Sequence, residues 1–456
     1  MRGFERKPGV LIIVQNLPVP LDRRVWLEAN ALTASGYQVS VICPAGPGDP
    51  AYQELDGVHI YKYRPAPEAS GTLGFVWEFA YSWCRAAALS VRVLRRHGFD
   101  VLQACNPPDT YWLLGWFYRL MGKRFVYDQH DLNPEVFLSR FGKPRGATQR
   151  LQYRMLLTLE RLTYRVAHHV ISTNESYREV AMDRGHRVAD DVTIVRSGPD
   201  TAVMRPATGT AALRNGRRYL ACYLGIMGPQ DGVDVLLYAI NDYVKILERD
   251  DCQFALLGFG DCLDELMALS TSLGLDDYVT FTGRADAAKV AEYLSTADVG
   301  VSPDPLSPLN DVSTMNKTME YMAYALPVLA FDLKETRVSA GPAAVYVAPG
   351  DVTGFAKALG ELLDDEESRA EMAVQARLRA AEVLDWRPQA RAYLGVYDKL
   401  MGITRDWSSV EAEWPATERR SFSGGPPRDR HGTRLVDLRS LDELTLFVKS
   451  RQLPDD

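Results

Sequence analysis

The sequence lacks any long hydrophobic run and is sparing with cysteine. No stretch reaches the roughly 20 uncharged apolar residues that a membrane-spanning helix needs. The first apolar run, residues 10–14, is too short for the hydrophobic region of a secretory leader. The six cysteines are scattered, with no CxxC pair and no Cys/His pairing. We therefore expect a cytoplasmic protein with reduced thiols and without a metal site.

Motifs of two other protein classes are also missing. There is no dense basic patch, RNP-like motif or zinc-finger spacing, so nucleic acid is not an expected partner. There is no GxGxxG after a strand followed by an acidic residue about 20 positions later, which disfavours a dinucleotide-dependent oxidoreductase. With 46% hydrophobic and 24% charged residues, the composition is that of a globular protein.

The charge is unevenly distributed along the chain. The formal net charge is −7, yet residues 1–170 hold 21 Lys and Arg against 14 Asp and Glu, which leaves −14 for the remainder. Either chance or an anionic partner of the front half, such as a membrane surface, explains this asymmetry. The helical pattern of residues 73–96 carries Glu78, Arg85 and Arg92 among apolar and aromatic residues. That helix is either buried on most of its circumference or lies at a membrane interface, peripheral on the inner face.

Short apolar runs alternate with helical patterns over almost the whole chain, which is typical of parallel α/β architecture. The predicted strands are residues 10–16, 37–43, 58–63, 100–106, 124–130, 168–174 and 192–198 in the front half, and 219–228, 252–260, 278–284, 298–304, 327–332 and 344–350 in the back half. We therefore expect two facing, doubly wound, Rossmann-like domains with a ligand cleft between them, at the carboxyl ends of their strands.

The expected domains are residues 1–200 and 218–385, joined by a polar linker without periodicity at 199–218. A helix at 386–402 is expected to cross back to the first domain. The tail, 403–456, is rich in Arg, Ser, Gly and Pro, and we expect it to be flexible, with one short helix at LDELTLFVKS.

The stretch NDVSTMNKTMEYMAYALPVLAFD, residues 310–332, is the first candidate for a binding site. Ser313 is a suitable N-cap and predicts a helix from Thr314, whose free N–H groups and positive dipole end suit a phosphate. Lys317 and Glu320 lie on one face of this helix, about 4.5 Å apart along its axis. This fits a nucleotide-sugar, with the lysine at the diphosphate and the glutamate at the ribose. The alternative is an exposed ion pair, which the apolar neighbours disfavour.

Other candidates directly follow predicted strands. His130 ends a front-half strand beside Asp131, where a lone histidine is otherwise structural. Arg284 would lie near the base or the phosphates, or else in a solvated loop. In the front loop, Asn16, Asp22, Arg23 and Arg24 could recognise acceptor or sugar hydroxyls, although Asp22 is an equally good helix N-cap.

The order and spacing of several segments resemble a known family. KTMEYMAYALPVLAFD, LLGFGD, VTFTGRADAAKVAEYLSTADVGVSP and YVAPGDVTGFAKAL are similar to the back half of family 4 glycosyltransferases, and DRRVWLEANALTASGYQVSVI and YDQHDLNPE to the front half. The similarity covers residues 10–400. It implies the GT-B fold, a back domain that holds a nucleotide-sugar donor, a front domain that holds the acceptor, retention of anomeric configuration, and neither a metal ion nor another cofactor.

Together with the residue pattern, the resemblance defines an expected site. The expected catalytic residues are His130, Lys317 and Glu320. The expected donor-binding residues are Gly228, Gly260, Arg284, Asp304, Asp311, Thr314, Met315, Asn316, Lys317 and Glu320. The expected acceptor-binding residues are Asn16, Asp22, Arg23 and Asn106.

The sequence departs from the family pattern at several positions. Val312 stands where the first of two glutamates is usual, so Asp304 or Asp311 would have to reach the sugar. Ile226 and Asp231 stand where an arginine and a lysine usually grip the diphosphate, which leaves Lys317 as the cation for that role. Ala325 replaces a usual glycine, at a cost of about 1 kcal/mol if that residue is left-handed.

The resulting expectation is a retaining glycosyltransferase that moves a sugar from a UDP- or GDP-sugar to a hydroxyl acceptor, lipid-linked or an oligosaccharide, in glycan biosynthesis. Because of the departures from the family pattern, a non-catalytic GT-B partner subunit stays an alternative. A nucleotide-sugar epimerase is a second one.

Overall fold

A computed structural model of the protein describes residues 7–66, 71–407, 428, 434–437 and 440–451. The chain divides into two compact units. Unit 1 comprises Met1–Ser197 and Arg387–Ala416, and unit 2 comprises Gly198–Trp386 and Thr417–Asp456.

Unit 1 is built on a sheet of order β3-β4-β2-β1-β5-β6-β7-β8, parallel except for the edge strand β3. Its strands are β1 (Gly9–Ile13), β2 (Gln38–Pro44), β3 (Tyr52–Leu55), β4 (Val58–Tyr63), β5 (Val101–Cys105), β6 (Arg124–Gln129), β7 (His169–Ser172) and β8 (Val192–Ile194). Its helices are α1 (Arg23–Ala34), α2 (Gly71–Arg96), α3 (Trp112–Leu120), α4 (Asn133–Phe141), α5 (Gly146–Val166), α6 (Glu175–Asp183) and, from the later segment of this unit, α14 (Trp386–Met401).

One face of this sheet is covered by α2, α3 and α5. Leu89 of α2, Leu114 of α3 and Tyr164 of α5 belong to the same buried cluster as Leu11 and Phe125 of the strands. The three helices thus form one layer, and their remaining faces form its outer surface.

Unit 2 contains a parallel sheet of order β11-β10-β9-β12-β13-β14. Its strands are β9 (Tyr219–Ile226), β10 (Cys252–Phe259), β11 (Val279–Gly283), β12 (Val299–Ser302), β13 (Val328–Phe331) and β14 (Ala344–Val347). Its helices are α7 (Val233–Asn241), α8 (Leu263–Ser272), α9 (Ala287–Thr296), α10 (Asn316–Ala323), α11 (Lys334–Ala340), α12 (Val352–Asp364), α13 (Glu366–Arg379) and α15 (Leu441–Ser450).

Helices cover both faces of the second sheet. Leu236 of α7 and Phe355 of α12 pack on one face, and Leu294 of α9 and Met322 of α10 pack on the other. The strand order is that of a doubly wound Rossmann domain, whose topological switch point lies between the first and fourth strands, here β9 and β12. The predicted architecture of two Rossmann-like units is therefore confirmed.

The structure differs from the sequence prediction at three places. Strand β3 was not predicted, because its short segment is mostly exposed and lacks an apolar run. The predicted linker belongs to unit 2, where buried Thr201 donates its hydroxyl hydrogen to Asp385 at 2.5 Å. In the tail the predicted helix is present as α15, but it is not part of a flexible segment, since its Leu444 and Phe447 are buried in one cluster with Ala373. The rest of the predicted tail lies largely outside the described residues.

None of the described helices combines the length and the hydropathy that are needed to cross a bilayer.

Candidate functional site

The helix at the centre of the predicted donor site, α10, begins at Asn316, two residues later than expected. Ser313 does not cap it, since Asn310–Val312 forms a 3₁₀ turn after which Ser313 is extended. The residue before the helix is Met315, whose side chain has no oxygen that could accept a capping hydrogen bond. Thr314 and Met315 therefore approach the helix as extended chain and are not part of its first turn.

Lys317 forms a buried ion pair with Asp304. Nζ lies 2.5 Å from Oδ1, and the two side chains are 8% and 2% exposed. The other carboxylate oxygen accepts the Ser302 hydroxyl hydrogen at 2.5 Å, and the ammonium lies 5.1 Å from the centroid of the Tyr223 ring. This burial rules out an exposed ion pair with Glu320 and directs the lysine charge towards the carboxyl end of β12.

The ends of β9 and β10 approach each other closely beside this pair. A Cβ atom on Gly225 would lie 3.2 Å from Cε of Lys317, so the lysine stem runs along the end of β9. A Cβ on Gly260 would lie 2.5 Å from the carbonyl oxygen of Met227, a contact that only glycine avoids. The predicted Lys317 and Gly260 thus both lie at the carboxyl edge around the switch point, where Rossmann sheets bind ligands.

The loop at Gly228 differs from the expected phosphate-binding arrangement. Its N–H donates to Oδ2 of Asp231 at 3.0 Å, so that donor is already used inside the loop. Burial raises the pKa of Asp231, and the charge of Lys317 offsets only part of this effect. Ile226 is 49% exposed and carries no charge. The pair of cations usual in the family therefore has no counterpart at these two positions.

Two further predicted residues lie near the carboxyl ends of neighbouring strands. Arg284 is exposed, and its guanidinium lies 5.0 Å from the centroid of the Phe259 ring at the end of β10. Arg284 is thus a solvent-accessible cation on the same edge. Asp311 accepts the backbone N–H of Lys334 at 2.9 Å and so caps the start of α11. Glu320 is half-buried on α10, one turn beyond Lys317.

In unit 1, Asn106 fixes the backbone that presents His130. Its Oδ1 accepts the N–H groups of His130 and Asp131 at 2.7 and 3.1 Å, and its Nδ2 donates to the carbonyl of Asp131 at 2.7 Å. Asn106 is only 1% exposed. It shapes the loop after β6, and the predicted acceptor contact would have to break these bonds.

The His130 ring is oriented by Asp128. Nε2 lies 2.8 Å from Oδ2 of that carboxylate, which also forms a 2.8 Å ion pair with Arg24 through Oδ1. Burial alone would lower the pKa of His130, but the Asp128 carboxylate outweighs it and the pKa is raised. In the described part of the chain, Nδ1 has no hydrogen-bond partner and can face a ligand.

A second buried carboxylate completes this network. Glu28 lies 3.0 Å from Nε of Arg24, and Gln103 donates from Nε2 to Glu28 at 2.8 Å and to Asp128 at 2.9 Å. Burial, reinforced by the Asp128 charge, raises the pKa of Glu28 to about 8. The hydroxyls of Tyr393 and Tyr397 on α14 donate to Oε1 of Gln103 and fix the direction of its amide.

Sequence reasoning missed Glu28 and Gln103. The available signals were a pair of opposite charges four residues apart on α1, Arg24 and Glu28, and one glutamine inside an apolar strand. Neither signal shows that these residues meet the strand that ends before His130.

The side chains of Cys105, Asp128 and His130 could in principle hold a metal ion, since their ligand atoms lie within 4.8 Å of one another. Their surroundings do not fit one. The Arg24 guanidinium already occupies Asp128 at 2.8 Å, and burial raises the pKa of the Cys105 thiol well above its usual range. A cation would meet a positive charge and a protonated thiol.

The front loop divides into structural and exposed residues. Asp22 is the N-cap of α1 and accepts the N–H of Val25 at 3.1 Å. Arg23 is half-buried, with Nη2 3.5 Å from the carbonyl of Ser197. Asn16 is the most exposed of the three.

Comparison with known proteins places this geometry in a family. Residues 21–203 match the family described as Glycosyltransferase Family 4, and residues 218–365 match that described as Glycosyl transferases group 1. The chain is 24% identical to the glycogen synthase of Mycobacterium tuberculosis over 83% of this chain and 90% of that protein.

Solved structures show the same fold. Sucrose-phosphate synthase from Thermosynechococcus elongatus matches with a TM-score of 0.68 at 19% identity, over 87% of this chain and 100% of that one. Anabaena HepE in complex with UDP-glucose matches with a TM-score of 0.62 at 16% identity, over 86% and 99%. The chain belongs to the family 4 glycosyltransferases, has the GT-B fold and is a glycosyltransferase.

Proposed function

We propose that the protein is a retaining glycosyltransferase that moves a sugar from a UDP- or GDP-sugar to a hydroxyl group of a lipid-linked or oligosaccharide acceptor in glycan biosynthesis. The observation that carries this proposal is the placement of Lys317 and Glu320 on α10, the first α-helix after the switch-point strand β12. Nucleotides bind Rossmann sheets at this edge. HepE, which shares the fold, is described in complexes with UDP and with UDP-glucose.

In this proposal Lys317 serves the leaving diphosphate. The Asp304 carboxylate holds its ammonium at the sheet edge before a donor arrives. As the sugar departs, negative charge grows on the diphosphate, and a preorganised cation stabilises it without having to rearrange. Arg284 is a second cation within the same unit, and Glu320 accepts hydrogen bonds from the ribose hydroxyls.

His130 serves the transferred sugar. Because Nε2 is held by Asp128, the ring offers Nδ1 to a sugar hydroxyl. The protonated ring, favoured by the raised pKa, would donate that hydrogen bond. No side chain of this network is assigned as a nucleophile, and we propose that the acceptor attacks the face from which the diphosphate leaves.

We further propose that catalysis needs no metal ion, because Lys317 and Arg284 supply the charge that a cation would otherwise bring to the diphosphate. Activity should therefore survive a chelator such as EDTA.

The outer surface of unit 1 supports a peripheral association with an anionic membrane. Four side chains spaced along one face of α3 are exposed although apolar: Leu113 (43%), Trp116 (54%), Phe117 (48%) and Leu120 (70%). Helix α3 is thus apolar towards the solvent as well as towards the sheet. Aromatic side chains on such a face favour the headgroup region of a bilayer.

The exposed charges on α5 and at the end of α2 are positive. Helix α5 exposes arginines at positions 150, 154, 161 and 165, while its only acidic residue, Glu160, is buried. At the end of α2, Arg92, Arg95 and Arg96 line a recess of about 380 Å³ together with two apolar residues. Arginines beside an apolar stripe fit lipid phosphates.

The first experiment is a thermal-shift screen against UDP, GDP, ADP and dTDP, because a ligand that binds only the folded state raises the melting temperature. The sugar donors of the nucleotide that binds best are then offered with acceptor mixtures, and NMR reports the anomeric configuration of the product. Binding without transfer or donor hydrolysis would contradict the enzymatic proposal and favour a partner subunit. Conversion of the donor sugar without transfer would indicate an epimerase.

A further inference from the structure

Helix α10 ends in a turn that is unfavourable for the residue found there. The N–H of Ala325 donates to the carbonyl of Met322, and the N–H of Leu326 donates to that of Tyr321, both at 3.0 Å. These two bonds form the Schellman motif. In this motif the residue at the position of Ala325 has a left-handed backbone and is usually glycine. Ala325 has a φ of +55° and is fully buried. Its Cβ makes that conformation costly, so the turn needs support from elsewhere.

The support comes from the end of the chain. Arg451, which terminates α15, is 7% exposed and donates from Nη2 to the carbonyl oxygen of Ala325 at 2.9 Å. Its guanidinium lies 5.4 Å from the centroid of the Phe447 ring. Burial lowers the pKa of Arg451 to about 10, which leaves it charged at neutral pH. A cation at the carboxyl end of a helix also matches the helix dipole.

Two further contacts hold the end of α10 and the segment before α15 in place. Arg377 of α13 is 2% exposed and donates from Nη1 to the carbonyl of Ala323, the last residue of α10, at 2.8 Å. The chain that leads to α15 is fastened by Arg205, whose Nη2 donates to the carbonyl of Val436 at 2.5 Å. The end of α10 is therefore held by two buried guanidinium groups, one of which the C-terminal segment delivers.

We propose that Arg451 is a positioning residue for donor binding, which holds the left-handed turn at Ala325 and thereby sets the position of Lys317 and Glu320 on α10. The proposal rests on the donor role of α10 argued above. Residues 434–437 and 440–451 then contribute to donor binding. Release of this segment would loosen the helix from its far end, without any change in the residues that touch the donor.

The test uses full-length protein with Arg451→Ala, Arg451→Lys and the double variant Arg451→Ala/Ala325→Gly. The probe is whichever of UDP, GDP, ADP and dTDP binds the wild-type protein best, measured by calorimetry. Arg451→Ala should weaken binding about tenfold, the scale of one lost hydrogen bond to a charged group. Arg451→Lys should recover part of the affinity. The double variant should recover most of it, because glycine adopts the left-handed turn without support.

A matched control and a second readout separate positioning from general stability. Lys449→Ala changes an exposed cation of the same helix and should bind as the wild type does. Amide hydrogen exchange at Ala325 and Leu326 should accelerate in Arg451→Ala and slow again in the double variant. Loss of affinity that Ala325→Gly does not correct would overturn the proposal.

The two proposals fail in different ways. Wild-type protein that binds none of the four nucleotides would contradict the proposed function, and with it the donor role of Arg451. Unchanged exchange at Ala325 and Leu326 in Arg451→Ala would overturn the positioning itself, whatever the wild-type protein binds.

Discussion

At the residue scale, burial decides the protonation of the network beside His130. Arg24 is the guanidinium that both Glu28 and Asp128 contact, and both carboxylates are buried. Burial disfavours the ionised form of both carboxylates, and two buried negative charges also repel each other, so one of the two groups keeps a proton. The pKa of Glu28 is raised to about 8, whereas Arg24 and His130 outweigh burial and hold that of Asp128 below its usual range.

This distribution predicts the pH dependence of stability. The folded protein holds a proton on Glu28 between its ordinary pKa of 4.5 and the raised value of about 8, so stability falls as the pH rises through this window. Glu28→Gln fixes the neutral form and should remove this loss. Between about pH 5 and pH 8, the free energy of unfolding of the variant should rise relative to that of the wild type by on the order of 3 kcal/mol. Urea unfolding across that range measures it, and a constant difference between the two proteins would contradict the assignment of the proton.

A second residue-scale prediction concerns Glu320. Because it is half-buried and its proposed partner is the donor ribose, Glu320→Gln should weaken nucleotide binding and slow transfer by about tenfold or more, the scale of one charged hydrogen bond. Its melting temperature should stay close to that of the wild type. Glu361→Gln, an exposed acid on α12 of the same unit, serves as the control. Full donor affinity in Glu320→Gln would remove this residue from the site.

Single residues were predictable where a local pattern decides their role. Asp22 could be read as an N-cap, and the structure has it as one. The pairing of Lys317 with Asp304 could not be read, because the two residues lie 13 positions apart and only the turn after β12 brings them together. The hydrogen bond from the Gly228 N–H to Asp231 could not be read either, because it depends on the conformation of the loop after β9.

At the element scale, α3 shows how a helix can satisfy the core and still leave an apolar face. Leu114 and Tyr118 pack inwards, while Trp116 and Phe117 remain about half exposed. We expect the protein to float with vesicles of phosphatidylcholine and phosphatidylglycerol at about three to one, and to be released in part by raised salt through screening. Trp116→Ser/Phe117→Ser should reduce binding about tenfold or more by removing interfacial aromatic area.

The control for this experiment is Ile246→Ser, a 60% exposed apolar residue of unit 2. It should bind vesicles as the wild type does. Equal binding to vesicles of phosphatidylcholine alone at low salt would refute the electrostatic part of the idea. Equal binding by the α3 double variant would refute the role of that helix.

Elements were predictable from periodicity, and their ends were not. Apolar runs marked both sheets, but the start of α10 depends on the 3₁₀ turn at Asn310–Val312, which has no strong sequence signal. The segment 441–450 was recognisable as a helix. The burial of this helix against Ala373 was not recognisable, because α15 and α13 come into contact only in the folded chain.

At the scale of the whole molecule, each unit follows the logic of a Rossmann sheet. The alternation of strands and helices fixes the strand order, and the strand order fixes the edge at which a ligand binds. This is why the fold and the general position of α10 could be read from the sequence. The identity of the sugar and of the acceptor depends on side-chain contacts that no periodicity encodes.

The central claim is that Lys317 meets the diphosphate of a nucleotide-sugar in unit 2. The rival explanation is that it only neutralises Asp304, since removal of one partner leaves a buried charge unpaired. Two variants separate these roles. Lys317→Met removes the ammonium, and Lys317→Met/Asp304→Asn removes both charges while an oxygen remains for Ser302.

The decisive measurement is the affinity for nucleoside diphosphate relative to nucleoside, by calorimetry, in the wild type and both variants. The diphosphate advantage is the factor by which the nucleoside diphosphate binds more tightly than the nucleoside. We predict that both variants lose most of it, a decrease of about a hundredfold on the scale of one phosphate charge contact, and that both bind the nucleoside as the wild type does. Recovery of the full advantage in the double variant, or its persistence in Lys317→Met, would show that the lysine serves only Asp304, and would contradict the account.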